Sequence, residues 1–73
     1  MATYYRFQND QPRIGDVVHC FKTLQALKHF SAMMRVQDPN YQDMKFWEIE
    51  GRFMKHDEGD VVVRVQSVKQ IRL

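Results

Sequence analysis

Two carboxylates one residue apart are the first candidates for chemistry in this chain. Glu48 and Glu50 flank an isoleucine in a run of strand-forming residues. Side chains alternate between the two faces of a strand, so both carboxylates are predicted on the face opposite Trp47. Such a pair can divide the duties of general acid and general base. We favour the alternative, a solvated strand face on which Glu50 pairs with Arg52 and Arg64.

His19 and Cys20 form the second candidate. A histidine beside a cysteine can begin a metal site, and Cys20 could act as a nucleophile with His29 as its base. The chain has one cysteine, and His56 belongs to a predicted hairpin. The sequence therefore does not supply the four converging side chains that a structural metal site needs. No motif supplies oxyanion donors. We therefore predict no metal site and no catalytic residue, and we expect Cys20 to be a small core residue.

The sequence has no pattern typical of a protein that binds nucleotides or nucleic acids. The three glycines are dispersed and form no phosphate-binding loop. Basic and aromatic side chains could build a base-stacking sheet surface, but Glu48 and Glu50 would lie within it. The net charge is +2 with both signs interleaved, which predicts no dedicated surface for polyanions. We expect no cofactor and no nucleic-acid partner.

The composition predicts a single folded domain over residues 1–73. Apolar residues make up 44% and charged residues 27%, as in ordinary globular domains. No apolar run approaches the roughly 20 residues that span a bilayer, so no membrane role is expected. A single cysteine excludes an internal disulfide, and the first residues lack the pattern of a signal peptide. We expect a cytoplasmic protein.

Two short strand signals precede the middle of the chain. β-forming side chains predict a first strand over residues 3–7, and a polar cluster ending at Pro12 closes it. A turn is predicted at residues 14–16. The apolar run at residues 17–21 fits either a short strand or an extended loop.

The spacing of apolar residues then changes to that of a helix. Leu24, Leu27, Phe30 and Met34 recur at intervals of three and four. Thr23 is a suitable N-cap for this helix. The helix should end within residues 37–40, where a proline interrupts the backbone ladder.

Residues 46–73 are predicted to form one β-hairpin, because apolar residues alternate along both arms. We predict a three-residue loop at residues 57–59 with Gly59 in the left-handed conformation and His56 opposite Asp60. That register sets Phe53 opposite Val63 and Gly51 opposite Val65, whereas a two-residue loop would set Phe53 against Arg64. Beyond Val65 the alternation changes phase, which predicts a bulge near Ser67.

These elements predict the α+β class: a small antiparallel sheet of three to four strands with one amphipathic helix on one face, in the order β(β)αββ. The helix should bury Leu24, Leu27 and Phe30. Its expected partners in the sheet are Trp47, Ile49, Phe53, Val63 and Val65.

Three short segments carry a resemblance to a known family. Tyr4-Tyr5-Arg6 on the first strand, Phe21-Lys22-Thr23 before the helix and Trp47-Glu48-Ile49-Glu50 on a later strand occur in that order. In order and spacing they resemble an ADP-ribosyltransferase-like half-domain. The resemblance implies binding of NAD or ADP-ribose, in which Arg6 would hold the dinucleotide, Thr23 would supply the hydroxyl and Glu50 would orient the ribose.

The chain also has more aromatic and methionine side chains than one helix on a small sheet can cover. Aromatic residues, methionine and arginine are enriched at the centres of interfaces. The predicted partner-binding residues are Tyr4, Arg6, Met33, Met34, Phe46, Arg52 and Arg64.

The leading prediction of function is therefore a small non-enzymatic protein that occupies a surface of a larger macromolecular partner. We expect this partner to be a protein or a protein complex. In size and style the chain is similar to small inhibitor proteins of phages and mobile elements, such as anti-CRISPR proteins. A fragment that binds NAD or ADP-ribose is the first alternative. A homo-oligomeric structural protein is the second.

Overall fold

A computed structural model describes residues 2–72 of the chain. The elements are β1 (Thr3–Gln8), β2 (Val17–Cys20), α1 (Leu24–Gln37), a 3₁₀ helix (Pro39–Tyr41), β3 (Lys45–Asp57) and β4 (Asp60–Ile71). The α+β class and the order of the elements are confirmed, with one helix packed against a four-stranded antiparallel sheet. The apolar run after the predicted turn is a strand and not a loop.

The sheet curls until its two edge strands meet. Its strand order is β1-β3-β4-β2, and every pairing is antiparallel. At the edges, Tyr5 and Phe21 form an isolated bridge. The N–H of Tyr5 donates to the carbonyl of Phe21 at 2.9 Å, and the reverse bond measures 2.7 Å. The curl gives the sheet a concave inner face and a convex outer face.

The inner face encloses its own apolar cluster, which we call the inner core. Cys20, Trp47, Ile49, Val61, Val63 and Val65 are buried in it, with Tyr4, Val18 and Val68 packed around them. The indole N–H of Trp47 donates to the carbonyl of Gln8 at 3.0 Å, so burial leaves that polar group satisfied. Valines and an isoleucine dominate because β-branched side chains pack well on pleated strands.

The helix packs on the outer face and forms a second cluster, the outer core. Phe7, Leu27 and Phe46 are buried there, with Tyr5, Phe21, Leu24, Phe30, Tyr41, Met44 and Ile71 around them. The prediction that the helix covers Trp47, Ile49, Val63 and Val65 is wrong, because all four lie in the inner core. Phe46 neighbours Trp47 along β3 and so points to the opposite face. The curl of the sheet closes the inner face without help from the helix.

The ends of α1 follow the sequence signals. Thr23 is the N-cap, and its hydroxyl accepts a hydrogen bond from the N–H of Ala26 at 3.1 Å. At the other end the N–H of Asp38 donates to the carbonyl of Met34 at 2.9 Å. The carboxylate of Asp38 accepts from the N–H of Asn40 and so caps the 3₁₀ helix. The predicted start and end of the helix are confirmed.

The hairpin turn has two residues and not the predicted three. Asp57 lies opposite Asp60, and Glu58 and Gly59 have φ of 49° and 90°. Positive φ at both central residues is the conformation that suits the right-handed twist of a tight hairpin. Phe53 nevertheless lies opposite Val63, as predicted, because an irregularity between Phe53 and Lys55 absorbs the one-residue slip.

A second irregularity confirms the predicted bulge near Ser67. Gly51 lies opposite Val65, and Glu50 lies opposite Ser67, so one residue of β4 is left unpaired between them. The bulge changes which side chains of β4 face inward. Val65 and Val68 both reach the inner core for this reason, although they are three residues apart.

Candidate functional site

An apolar cleft opens at one end of the curled sheet. Tyr4, Lys22, Phe53, His56 and Val61 line it, and its volume is ≈ 430 Å³. We call it the mouth cleft. The ring of Phe53 is 44% exposed and lies 4.9 Å from the ring of His56, measured between centroids. Exposed phenylalanine in a concave apolar surface is a feature typical of binding sites.

Phe53 is open to solvent because, within residues 2–72, no helix or strand packs over its end of the inner face. The residue lies opposite Val63, which is buried, so both occupy the inner face. The helix packs on the other face, and Gly51, the preceding inward position of β3, contributes no side chain. The prediction that Phe53 belongs to the core under the helix is therefore wrong. Its position makes it the most prominent aromatic side chain of the mouth cleft.

The outer face of the same hairpin carries three cationic side chains in the stretch between Glu50 and Asp57. Arg52 lies directly opposite Arg64, and Lys55 lies opposite Val62 on the same face. The guanidinium of Arg64 donates to the carbonyl of Gly15 at 3.2 Å. Like charges directly opposite each other on neighbouring strands are destabilising. Within residues 2–72 neither arginine forms an ion pair, so a negative charge brought to this stretch would relieve the repulsion between them.

The expected pairing of Glu50 with Arg52 and Arg64 is absent from residues 2–72. The carboxylate of Asp57 in that part of the chain is instead hydrogen-bonded to the imidazole of His19 at 2.9 Å. Glu50 lies opposite Ser67 and Thr3, on the outer face with Glu48, so the predicted face of both carboxylates is confirmed.

A second cleft, of ≈ 330 Å³, lies where β1 and β2 diverge beyond their bridge. Arg6 is the charged side chain of most interest there. Its Nη1 donates to the carbonyl of His19 at 2.6 Å, and its Nε bonds to the side chain of Gln8. This guanidinium is already engaged by the chain itself.

The residues that the family resemblance pointed to do not converge. Arg6 lies opposite Trp47, on the inner face, whereas Glu50 is on the outer face. The hydroxyl of Thr23 accepts the capping hydrogen bond from Ala26. A ligand held by Arg6 and Glu50 together would have to reach both faces of the sheet.

The predicted partner-binding residues are scattered over the molecule. Tyr4 lines the mouth cleft, while Met33 is 45% exposed on α1 and Met34 is half-buried. Phe46 is 8% exposed in the outer core, so the expectation that it forms a surface patch is wrong.

Arg52 and Arg64 share the outer face of the hairpin, away from the cleft. Sequence reasoning missed Lys22, Phe53 and His56 as cleft residues. The signal in the sequence was Gly51. Gly51 and Phe53 point to the same face of β3, and because glycine has no side chain, Phe53 lacks a packing neighbour at the preceding inward position.

Cys20 is a core residue, as predicted, and not a nucleophile poised for reaction. It is free, and its side chain is 1% exposed within the inner core. Burial raises the pKa of its thiol from 9.0 to about 11; Arg6 opposes this change and Asp60 adds to it. The thiolate, which is the reactive form, is correspondingly disfavoured.

This raised pKa predicts a loss of stability in alkali. Above a pH of about 9 the unfolded chain releases the thiol proton and the folded chain retains it, so stability falls as pH rises. At about pH 10 we expect Cys20 to lower the free energy of unfolding by about 1 kcal/mol. Urea unfolding from neutral pH to about pH 10 tests this against a Cys20→Ala control, which lacks the group. Parallel pH profiles for the two proteins would contradict the prediction.

Comparison with known proteins assigns no family to the chain: no protein-family model, curated protein or solved structure matches it. Within residues 2–72, no cluster of three or more histidine, cysteine, aspartate or glutamate side chains is placed to hold a metal ion. None of the helices in that part of the chain has the length and apolar character needed to cross a membrane. The geometry of the surface therefore carries the argument about function.

Proposed function

We propose that this chain is a non-enzymatic protein-binding module that contacts its partner through the mouth cleft. The observation that carries the proposal is Phe53, an aromatic side chain that lies on the inner face yet remains 44% exposed. Leaving it in water forgoes the stabilisation that burial of an aromatic side chain gives. Aromatic anchors in concave apolar surfaces contribute strongly to protein interfaces.

The surroundings of Phe53 define what the partner should present. Tyr4 and Val61 provide apolar walls, and Lys22 and His56 provide polar groups at the cleft. An apolar side chain of the partner would fill the cleft, with an acidic group near Lys22. The mode of action that we propose is steric occupation of a partner surface, as in the small inhibitors of phages and mobile elements, within the cytoplasm.

Site-specific photocrosslinking tests the proposal. A benzophenone amino acid is placed at position 53, and a matched variant carries it at position 36, where the native valine on α1 is 87% exposed. Both proteins are expressed in the native host and irradiated. We expect a discrete crosslinked product from position 53 and none from position 36, because only position 53 lies in the cleft.

Other outcomes would contradict this proposal. Equal crosslinking from the two positions would indicate contact without a defined site. A product with twice the mass of the chain from position 53 would identify the partner as a second copy, which supports the homo-oligomer instead. No product from position 53 in the native host would remove the cleft as a partner site.

A further inference from the structure

We infer that the partner binds as an extended strand along β3, and that this strand alternates acidic and apolar residues. The inference rests on the proposed function and specifies the partner's conformation and chemistry. The relevant surface is one edge of β3 over residues 51–57. Over residues 45–50 the same edge is paired with β1. We call the part over residues 51–57 the free edge.

The free edge lies beyond the point at which β1, within residues 2–72, stops pairing with β3. β1 pairs with β3 up to Glu50, opposite Thr3, while β3 continues to Asp57. Across residues 2–72, no strand pairs with residues 51–57 on this edge. The other edge of the segment is paired with β4. An open edge presents unpaired backbone donors and acceptors, which an incoming strand can satisfy.

The two faces that border the free edge differ in chemistry. On the inner side is the mouth cleft, with Phe53 and His56 contributed by β3 itself. On the outer side are Arg52 and Lys55, with Arg64 directly opposite Arg52. Asp57 lies on the same side, where its carboxylate is hydrogen-bonded to His19 at 2.9 Å. Successive side chains of an added strand would point alternately to these two sides. Apolar residues therefore suit one set of positions and acidic residues the other.

Charge also argues against a second copy of the chain as the occupant. Pairing of two free edges would bring Arg52 and Lys55 of both copies onto one face, which is unfavourable. Asp57, the acidic residue of the segment, is already hydrogen-bonded to His19 and so is not free to offset these charges. The irregularity after Phe53 and the charges of Arg52 and Lys55 are devices that deter indiscriminate pairing of edge strands. An acidic strand removes this charge penalty and offsets the unfavourable placement of Arg52 opposite Arg64.

A designed peptide tests the inference without knowledge of the natural partner. The probe is a capped seven-residue peptide, Glu-Val-Glu-Phe-Glu-Val-Glu, and the charge control has lysine in place of every glutamate. Binding to the isotopically labelled chain is followed by NMR shifts and amide hydrogen exchange. We expect slowed exchange within residues 51–57, and binding of the acidic peptide about tenfold tighter than that of the lysine peptide at low salt.

Backbone pairing is separated from side-chain binding by N-methylation. One version of the acidic peptide is methylated on its glutamates and another on its apolar residues. Alternate N–H groups of a strand point to opposite edges, so strand addition predicts that only one version loses binding. Binding through side chains alone would leave both versions equal.

Two variants with the same change in net charge test the role of the outer face. Arg52→Glu should weaken the acidic peptide about tenfold, and it should preserve the fold because it sets a carboxylate opposite Arg64. Lys28→Glu, on exposed helix surface away from the edge, should change the affinity by less than about twofold.

The results distinguish binding at the mouth cleft from addition of a strand along the free edge. Shifts confined to Lys22 and His56, with both methylated peptides bound equally, would overturn strand addition and leave the mouth cleft as a binding site. Equal binding of the lysine peptide would overturn the acidic pattern. Absence of any shift at millimolar peptide would overturn the inference, while crosslinking at position 53 would still decide the proposed function independently.

Discussion

Replacing Gly51 by alanine is expected to lower the free energy of unfolding by about 3 kcal/mol. A Cβ atom at this position would overlap Cγ1 of Val63 and come within 2.5 Å of the carbonyl oxygen of Arg64. Val63 is fully buried and the other contact is backbone, so neither neighbour can move cheaply. The loss is a large share of the stability of a small domain, about 0.05–0.15 kcal/mol per residue.

Gly59→Ala is the matched control for this experiment. Among the described residues, apart from its two chain neighbours, no atom lies within 4 Å of the Cβ that it would add, but the residue has a φ of 90° in the hairpin turn. Its expected cost is the conformational penalty alone, about 1–2 kcal/mol. Urea unfolding of both variants measures the difference. If Gly51→Ala costs no more than Gly59→Ala, the close packing at the start of the free edge is not as described.

Local signals in the sequence were enough to predict β1, α1 and the hairpin of β3 and β4, but they left β2 open between a strand and a loop. Thr23 marks the start of α1, because its hydroxyl provides a cap that the first turn otherwise lacks. Pro39 marks its end, because proline restricts the residue before it. The bulge near Ser67 was predictable because a change of phase in an alternating strand requires an extra residue.

The partner of the helix was not predictable in the same way. The Trp47 face of β3 is the more continuously apolar face, which favoured it as the surface under the helix. The sheet instead encloses that face by curling, and the curl depends on the bridge between Tyr5 and Phe21. That contact spans 16 residues of sequence and has no local signature. The helix then packs on the outer face.

The hairpin shows how two local features can compensate each other. A two-residue turn shifts the register by one relative to a three-residue turn, which by itself would set Phe53 against Arg64. The irregularity between Phe53 and Lys55 restores Phe53 to Val63. The predicted pairing was therefore right although the predicted turn was wrong. Sequence alternation reports which side chains share a face, but it does not report where an extra residue is inserted.

The C-terminal end of α1 is joined to the following segment by Arg35. Its Nε donates to the carbonyl of Tyr41 at 3.4 Å and its Nη2 to the carbonyl of Met44 at 3.2 Å. The guanidinium carbon also lies 5.4 Å from the ring centre of Phe7 and 5.0 Å from that of Phe46. One partly buried cation thus holds the chain between the helix and β3 against the outer core.

Replacing Arg35 by methionine is expected to lower the free energy of unfolding by about 2 kcal/mol, because it removes hydrogen bonds to two carbonyls and the contact with two aromatic rings. Arg35→Lys should lose about half as much, since lysine keeps the charge but not the planar fork of donors. Lys28→Met removes a cation from the exposed surface of the same helix and should change stability by less than about 0.5 kcal/mol.

Urea unfolding of the three variants measures these differences, and amide hydrogen exchange locates them. In Arg35→Met we expect faster exchange over residues 38–45 than in Lys28→Met, because the lost contacts hold that segment to the outer core. Equal destabilisation by the two methionine substitutions would show that Arg35 acts only as one more helix charge. Faster exchange across the whole sheet, without local change at residues 38–45, would show that its contacts to the carbonyls contribute nothing specific.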